Sequence, residues 1–332
     1  MTTMGDVARL AGVSASTVSH VLNGTRKVND ETRLRVEAAI EETGYRRNVV
    51  ARALAGGRTH TVGLSISALT NPYFGGLVHA VELALSAAGY VLIVGDSHDE
   101  VDSEKRVVDS LLGRRVDGMI VAPAAGSERT TLPEITGTGT PLVLIDRGAD
   151  IAADQVSSEN LDAARSLTEH LLDLGHRRIG VVRGKPGISS TTERFDGHLA
   201  ALADRGIELD DELVLEGDSN TDTAEREVRK LMSSADRPSA LVSMNNAMTI
   251  GTLKAVRSVG LSIPGDVALV CYDDFEWSDL FEPKLTAAAQ DVDTIGATAV
   301  ELLLRRMRGD DAAPQRIRVP TAFHHRNSCG CA

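Results

Sequence analysis

Two sets of side chains in this chain are typed and spaced for recognition. The first lies within Gly5 to Asn23, where Ala15, Ser16, Ser19 and His20 form the outer face of a short helix expected to open after Ser14. With Thr17 beside them, such small or polar residues let a helix N-terminus approach a phosphate or slide into the major groove of a duplex. Long acidic side chains there would forbid it. The second set stands mostly just after apolar runs: Asn71-Pro-Tyr73-Phe74, Asp146-Arg147, Asn245, Asp273 and Gln290, with Arg194 ahead of Phe195-Asp-Gly197. Together they offer forked donors, carboxylate acceptors, amides and an aromatic face. That mixture suits a polyhydroxylated ring, whose vicinal hydroxyls want paired donors and acceptors and whose CH face wants an aromatic platform. Each also has a structural use: Asp146 and Arg147 can pair with each other, Arg194 can cap a helix, and Asn245 can tie down a strand end.

The elements that must position the first set are three helices. In Met4 to Ala11, Val7, Leu10 and Ala11 fall at helical spacing, and Gly12 follows where a left-handed cap is favourable. Ser14 offers its side-chain oxygen to the start of a second helix, whose Val18, Val21 and Leu22 face back onto the first. A third helix over Asp30 to Thr43 is expected to bury Leu34, Val36, Ala39 and Ile40 and to end at Gly44.

From Thr61 onward the elements change. Short apolar runs (Val62 to Ile66, Val91 to Val94, Gly118 to Val121, Leu142 to Ile145, Ile179 to Val182, Leu241 to Val242, Val267 to Cys271) alternate with helical patterns that close at Gly89, Gly175, Gly206 and Gly260. Strands buried on both faces read this way, so parallel sheets are expected. The length of this stretch calls for two doubly wound halves, and ligands of open sheets bind beyond the carboxyl ends of the strands. Charge divides the chain at the same place. Nine Lys/Arg and six Asp/Glu give the first 60 residues a balance of +3, while the other 26 basic and 41 acidic residues leave −15. A basic head on an acidic body fits a nucleic-acid-binding module joined to a separate ligand-binding one.

On Asp6-Val-Ala-Arg-Leu-Ala-Gly-Val-Ser14, Thr17-Val-Ser19, Val21-Leu-Asn23, Thr32-Arg33, Gly44-Tyr45, Asn71-Pro-Tyr-Phe74, Val116-Asp-Gly118, Gly175-His-Arg-Arg-Ile179 and Tyr272-Asp-Asp274, the chain resembles the LacI/GalR family of transcriptional repressors over essentially its whole length. The resemblance implies an all-α helix-turn-helix head (1–46), a hinge helix or linker (47–59) and an α/β core of two doubly wound parallel-sheet lobes like the periplasmic binding proteins (60–328). Lobe one would take about 60–158 plus 291–318, and lobe two 159–290 plus 319–328. It implies DNA contacts by Ser14, Ala15, Ser16, Thr17, Ser19, His20, Asn23, Arg33 and Tyr45 in the head and by Asn48, Ala51 and Leu54 in the hinge. Leu54 would wedge between base steps in the minor groove. It implies an effector cleft formed by Tyr73, Phe74, Asp146, Arg147, Arg194, Ser219, Asn245, Asp273 and Gln290. The family usually has arginine at His20 and proline at Arg47, which leaves operator sequence and hinge behaviour open. Ser219 and Val292 stand where many relatives carry an aromatic, so a purine or nucleoside effector is less expected than a ribose-like pentose or other monosaccharide.

The partners implied are double-stranded operator DNA, a small-molecule effector and a second copy of the chain in a homodimer. No membrane partner is expected, since no apolar stretch approaches a membrane span, and the opening residues are no signal peptide, so the protein is expected in the cytoplasm. A transport-associated binding protein with the same core would instead be exported and lack the basic head. No cofactor is expected, and no enzyme: the chain shows no Walker loop, no G-x-G-x-x-G after a strand, no G-x-S-x-G elbow and no H-E-x-x-H. Cys271 is expected as inert core. Cys329 and Cys331 flank one glycine, which is poor evidence for a disulfide or metal site in a reducing compartment without further ligands, and none is expected beyond an adventitious metal contact with the neighbouring His324-His325.

Overall fold

A reciprocal pair of hydrogen bonds opens the first helix, α1 (Met4–Ala11). The Asp6 amide donates to Thr3 Oγ1 at 3.3 Å, and the Thr3 amide donates to Asp6 Oδ2 at 2.9 Å, so two otherwise orphaned donors are satisfied. The computed structural model describes residues 2–23, 26–45 and 57–331, and the chain divides into two units, 1–59 and 60–332. Gly12 closes α1 at φ 64°, a conformation that needs no Cβ. Ser14 Oγ accepts from the Thr17 amide at 3.2 Å and starts α2 (Ala15–Asn23). Asn29 does the same for α3 (Asp30–Thr43), taking the Thr32 amide at 2.8 Å.

The three helices bury Val7, Ala8, Ala11, Val18, Val36 and Ala39, with Val21, Leu22, Ile40 and Tyr45 packed around them. Two residues expected in this core point outward instead: Leu10 is 49% exposed and Leu34 61%. Leu34 precedes Val36 by two positions, about 200° around a helix of 3.6 residues per turn. It therefore cannot share the stripe of Val36, Ala39 and Ile40. Leu10 falls beside the stripe of Val7, Ala8 and Ala11 for the same angular reason.

In the second unit, β1 (Thr61–Ile66), β2 (Val91–Asp96), β3 (Gly118–Val121), β4 (Leu142–Ile145), β5 (Asp154–Ser158) and β11 (Arg316–Val319) form one parallel sheet in the order β11-β5-β4-β3-β1-β2. The other holds β6 (Ile179–Arg183), β7 (Val214–Glu216), β8 (Ala240–Ser243), β9 (Ala268–Tyr272), β10 (Thr286–Gln290) and β12 (Thr321–His324) in the order β12-β10-β9-β8-β6-β7. Helices α4 (Pro72–Ala87), α5 (Val101–Gly113), α6 (Thr131–Gly137) and α11 (Val292–Met307) pack on the first sheet. Helices α7 (Leu161–Asp173), α8 (Ser189–Asp204), α9 (Thr221–Met232) and α10 (Asn246–Ser258) pack on the second. The chain passes between the sheets three times, after β5, after β10 and after β11.

The sheets are parallel as expected except at one edge, where β12 runs antiparallel to β10. Only Pro320 separates β11 from β12. A chain leaving the carboxyl edge of one sheet and passing directly to the facing carboxyl edge of the other must enter it backwards. Strands β5, β7, β11 and β12 also lie outside the apolar runs of the sequence, and β10 is marked only by the stretch Thr286 to Ala289 ahead of Gln290. Four of the five residues in β5 are polar, yet the whole strand is buried. Asp154 is paired with Arg306 (2.6 and 3.0 Å) and the Gln315 amide (2.7 Å), and Gln155 donates to Ala149 O (2.9 Å), so its burial leaves no group unmatched.

Helix pairs on the second sheet approach closely because glycine stands at the crossings. A Cβ on Gly197 would lie 2.1 Å from the Leu161 carbonyl oxygen, and one on Gly251 would lie 2.3 Å from that of Thr221. Next to the first crossing, His198 is fully buried between α7 and α8. Its Nδ1 meets Thr168 Oγ1 at 3.0 Å, and its Nε2 has no hydrogen-bond partner among the described residues. Among the described residues no helix is long and apolar enough to cross a membrane.

Burial pulls the His198 imidazole down from 6.5 to about 4. The unfolded chain therefore binds a proton that the folded one excludes between these values, and stability rises with pH across that window. The contribution is fully present above 6.5 and erodes as pH falls toward 4. Urea midpoints measured across this range should fall more steeply for wild type than for His198→Gln. Parallel curves would place the titration elsewhere.

Candidate functional site

On the head, the capped start of α2 presents Ser14, Ala15 and Ser16 to solvent, with Thr17, Ser19 and His20 half-buried along the same helix. Ser14 Oγ lies 2.8 Å from Ser16 Oγ and 2.9 Å from Thr17 Oγ1, so the turn is cross-braced by hydroxyls. Such an N-terminus carries partial positive charge and short side chains, the requirements for meeting a phosphate or a base edge. Arg26 and Lys27 are exposed nearby in sequence. Arg33 is ion-paired with Asp30 at 3.0 Å, and Tyr45 packs against the helical core. Asn23 is the last residue of α2. The expectations for Asn48, Ala51 and Leu54, and for Arg46, Arg47 and Arg52, lie outside the described residues.

In the second unit all nine residues expected at the effector cleft line one narrow cavity of about 430 Å³, its mouth included. Its walls are the carboxyl edges of the two sheets. Tyr73 and Phe74 come from the first turn of α4, which Asn71 caps by accepting from the Tyr73 amide at 3.1 Å. Asp146 and Asp273 occupy matching places, each immediately after a central strand, β4 or β9. Both have left-handed backbones, at φ 70° and 77°. The Asp146 amide donates to Val156 O and the Asp273 amide to Ala288 O, both at 2.9 Å, so the neighbouring strand holds each strained residue in place. Ser219, at φ 54°, is a third left-handed residue on the cavity wall. Non-glycine residues in this region carry a conformational cost that surrounding structure must offset, and they gather at ligand sites.

Charge is confined here by partners. Arg147, 7% exposed, donates to Asp146 Oδ2 (2.8 Å), Asp99 Oδ1 (2.6 Å) and Ser67 Oγ (3.0 Å). Burial works against its charge, but Asp99 and Asp146 outweigh it and raise its pKa further. Arg147 therefore commits its donors to the protein and acts by orienting Asp146. Arg194, also 7% exposed, donates through Nε to Asn160 Oδ1 and through Nη1 to Met244 O, both at 2.8 Å, with its guanidinium 3.6 Å from the Tyr272 ring centre. Its Nη2 makes no hydrogen bond within the described residues. Asp273 accepts from the Asn246 amide (3.0 Å) and from Gln290 Nε2 (2.5 Å), and Gln290 Oε1 accepts from Ser158 Oγ (2.5 Å). Burial raises the Asp273 pKa, against the lowering effect of Arg194 and these hydrogen bonds. Tyr73 is pushed up as well, by burial and then by the charge of Asp146. Its hydroxyl completes no well-formed hydrogen bond among the described residues. Asn245 caps α10, taking the Met248 amide at 2.9 Å, and Ser219 Oγ takes the Lys185 amide at 3.1 Å.

The sequence reading missed part of the lining: Gly184, Ile188, Ser190, Thr191 and Met244. Gly184 follows β6 directly and obeys the strand-end rule; the others lie on the loop into α8, its first turn, and the turn after β8. It also missed Asp99, which follows β2 and holds Arg147. Aromatic surface on the cavity comes, among the described residues, from Tyr73 and Phe74 alone, rings 5.1 Å apart and tilted by 71°.

The profile of the bacterial regulatory proteins, lacI family, matches residues 3–48, and that of the periplasmic binding protein-like domain matches 168–329. The chain is 34% identical over 309 residues to the HTH-type transcriptional repressor PurR of Aliivibrio salmonicida, covering 93% of each chain. It is 32% identical over 329 residues to the ribose operon repressor of Escherichia coli strain K12, covering 99% of this chain and 100% of the relative. A crystal structure of the lac repressor dimer bound to operator and the anti-inducer ONPF superposes with a TM-score of 0.88 at 28% identity, over 99% of both chains. The chain thus belongs to the lacI family of bacterial regulatory proteins, a DNA-binding transcriptional regulator with a helix-turn-helix head and a periplasmic-binding-protein-like core.

Proposed function

We propose that this regulator is a cytoplasmic repressor that binds an imperfectly palindromic operator as a homodimer, and that a monosaccharide, a ribose-like pentose first, binds between the core lobes and controls it. The observation that carries the effector reading is the polar pairing across the cleft. Arg194 Nη2, the Asp146 and Asp273 carboxylates and the Tyr73 hydroxyl surround a space with aromatic surface from one helix turn only. Vicinal hydroxyls match such alternating donors and acceptors. A purine would gain most from stacking on both faces, and the position of Ser219 offers a hydroxyl in place of a second ring. The cleft binds without turnover, as befits a relative of transcriptional repressors. Residues 1–46, 47–59 and 60–328 serve as head, hinge and core, with 60–158 plus 291–318 as the first core lobe and 159–290 plus 319–328 as the second.

Each head reads one half-site with Ser16, Thr17 and His20 nearest the bases, while Arg26, Lys27, Arg33, Arg46 and Arg52 meet phosphates. Effector binding moves the first lobes relative to each other and so decides whether the two hinges fold together in the minor groove. The coupling between the sites is about 1 to 3 kcal/mol, as is typical of allosteric pairs, and acts reciprocally. Induction is the direction proposed.

Operator affinity should fall steeply as salt rises, because phosphate contacts release counterions; a flat salt profile would remove the electrostatic basis of head binding. In calorimetry on the full-length protein, ribose should bind and weaken operator affinity, whereas saturation by hypoxanthine or guanine without response to sugars would overturn the effector class. Arg194→Ala and Asp273→Ala should each lose more than about tenfold in sugar affinity, the effect of deleting a charge-assisted buried hydrogen bond, while operator affinity without effector stays within about twofold, because neither residue belongs to the head, and about 0.5 kcal/mol is the usual bound for a substitution away from the contacts concerned. For the hinge, Leu54→Ala should weaken specific binding and reduce DNA bending in a gel-shift phasing assay while leaving sugar affinity without DNA unaltered. Wild-type bending by that variant would reduce the segment to a plain linker.

A further inference from the structure

Residues from two distant stretches of chain meet at the outer end of α7. His170 lies in its last turn, and His325, Cys329 and Cys331 follow β12. One ligand atom from each of the four lies within 4.8 Å of all the others. Cys329 Sγ is 3.5 Å from His325 Nε2, and Cys331 Sγ is 3.6 Å from His170 Nε2. Zinc–sulfur bonds of about 2.3 Å and zinc–nitrogen bonds of about 2.0 to 2.1 Å, held tetrahedrally, put sulfur and nitrogen about 3.6 Å apart. The two imidazole rings are 5.2 Å apart and nearly perpendicular, at 73°, as two corners of such a tetrahedron can be.

The backbone that carries the cysteines is held before any ion arrives. Arg326 pairs with Asp274 at 2.8 Å, Asn327 Oδ1 accepts from the Lys284 amide at 2.7 Å, and Ser328 Oγ donates to Leu269 O at 2.7 Å. Gly330, at φ 84°, then turns the chain so that Cys331 comes back toward Cys329. His324, the other histidine of the pair in sequence, is engaged elsewhere, with Nδ1 2.6 Å from Asp274 Oδ2. The fourth ligand is thus supplied by a helix that local spacing could not indicate.

We propose that His170, His325, Cys329 and Cys331 form a closed Cys₂His₂ site for Zn²⁺ that staples the C-terminal segment to α7. Two thiolates and two neutral imidazoles suit a borderline-soft divalent ion without an open coordination position, the pattern of a structural site. Each thiol gives its proton to solvent as its sulfur binds, so two protons leave and the two thiolates balance the ion's charge.

The test uses the full chain, reduced and stripped with a chelator, and Co²⁺ as the spectroscopic probe. One equivalent of Co²⁺ per chain should produce the intense visible bands of tetrahedral cobalt and a near-ultraviolet thiolate charge-transfer band, and Zn²⁺ should bleach both. Zn²⁺ should also raise the thermal midpoint. Cys331→Ser and His170→Ala, at half-exposed positions where folding is checked by circular dichroism, should lose the thiolate-tetrahedral spectrum or weaken Zn²⁺ binding by at least about a hundredfold, the upper effect of altering an outer-shell partner. His324→Ala should keep both. A weak octahedral spectrum, Zn²⁺ affinity unchanged in both ligand variants, or conversion of the reduced chain to a Cys329–Cys331 disulfide in place of metal binding would overturn the proposal.

Discussion

Two buried guanidinium groups on facing walls of one cleft constrain the core more than any other feature. An ionised group removed from water is tolerated only where fixed partners replace its hydration. Arg147 answers this with Asp146, Asp99 and Ser67, drawing together the ends of β1, β2 and β4. Arg194 answers it with Asn160, a backbone carbonyl after β8 and the face of the Tyr272 ring. The difference between them matters. Each nitrogen of the first arginine donates to a residue beside its own sheet, whereas the second has an Nη2 with no hydrogen bond among the described residues.

The second arrangement depends on helix packing far from any ligand. Arg194 reaches Asn160 because α8 lies against the start of α7, and that approach is possible because Gly197 presents only hydrogen to the Leu161 carbonyl. Any side chain there would push the helices apart and draw Arg194 off the Tyr272 ring. Tyr272 is itself tied by its hydroxyl to Glu159 O at 2.8 Å, just ahead of α7. One small residue thus fixes a cation, an amide and an aromatic ring in register.

Apolar and polar contacts are divided between the two sheets in a way that suits a regulator. The apolar clusters stay within their own sheets. Contacts across the cleft are polar: Lys185 Nζ donates to Glu100 Oε1 (2.5 Å) and Asp99 O (2.9 Å), the Gly148 amide donates to Ser189 Oγ (2.9 Å), and Ser158 and Asp273 share Gln290. Water can replace hydrogen bonds of this kind at a net cost of about 0.5 to 1.5 kcal/mol each, whereas reopening an apolar core exposes area at about 25 cal/mol per Å². The two sheets thus keep separate apolar cores and meet through contacts that water can replace.

Much of this was legible along the chain. The three head helices, their caps at Ser14, Gly12 and Gly44, and seven of the strands follow from periodicity and local hydrogen bonding, which act within a few residues. The strand-end rule located Asp146, Asp273 and Gln290, because the carboxyl edge of a parallel sheet is where the chain leaves the core. Tertiary structure decided what depends on partners remote in sequence. Strand β5 is polar and was invisible until Arg306 paired its Asp154. Asp99 became the holder of Arg147, the direction of β12 was set by its entry from the facing sheet, and His170 joined two cysteines at the far end of the chain. Spacing in sequence reports neighbours along one helix or strand; which buried charge or ligand meets which is set only when the sheets and helices pack.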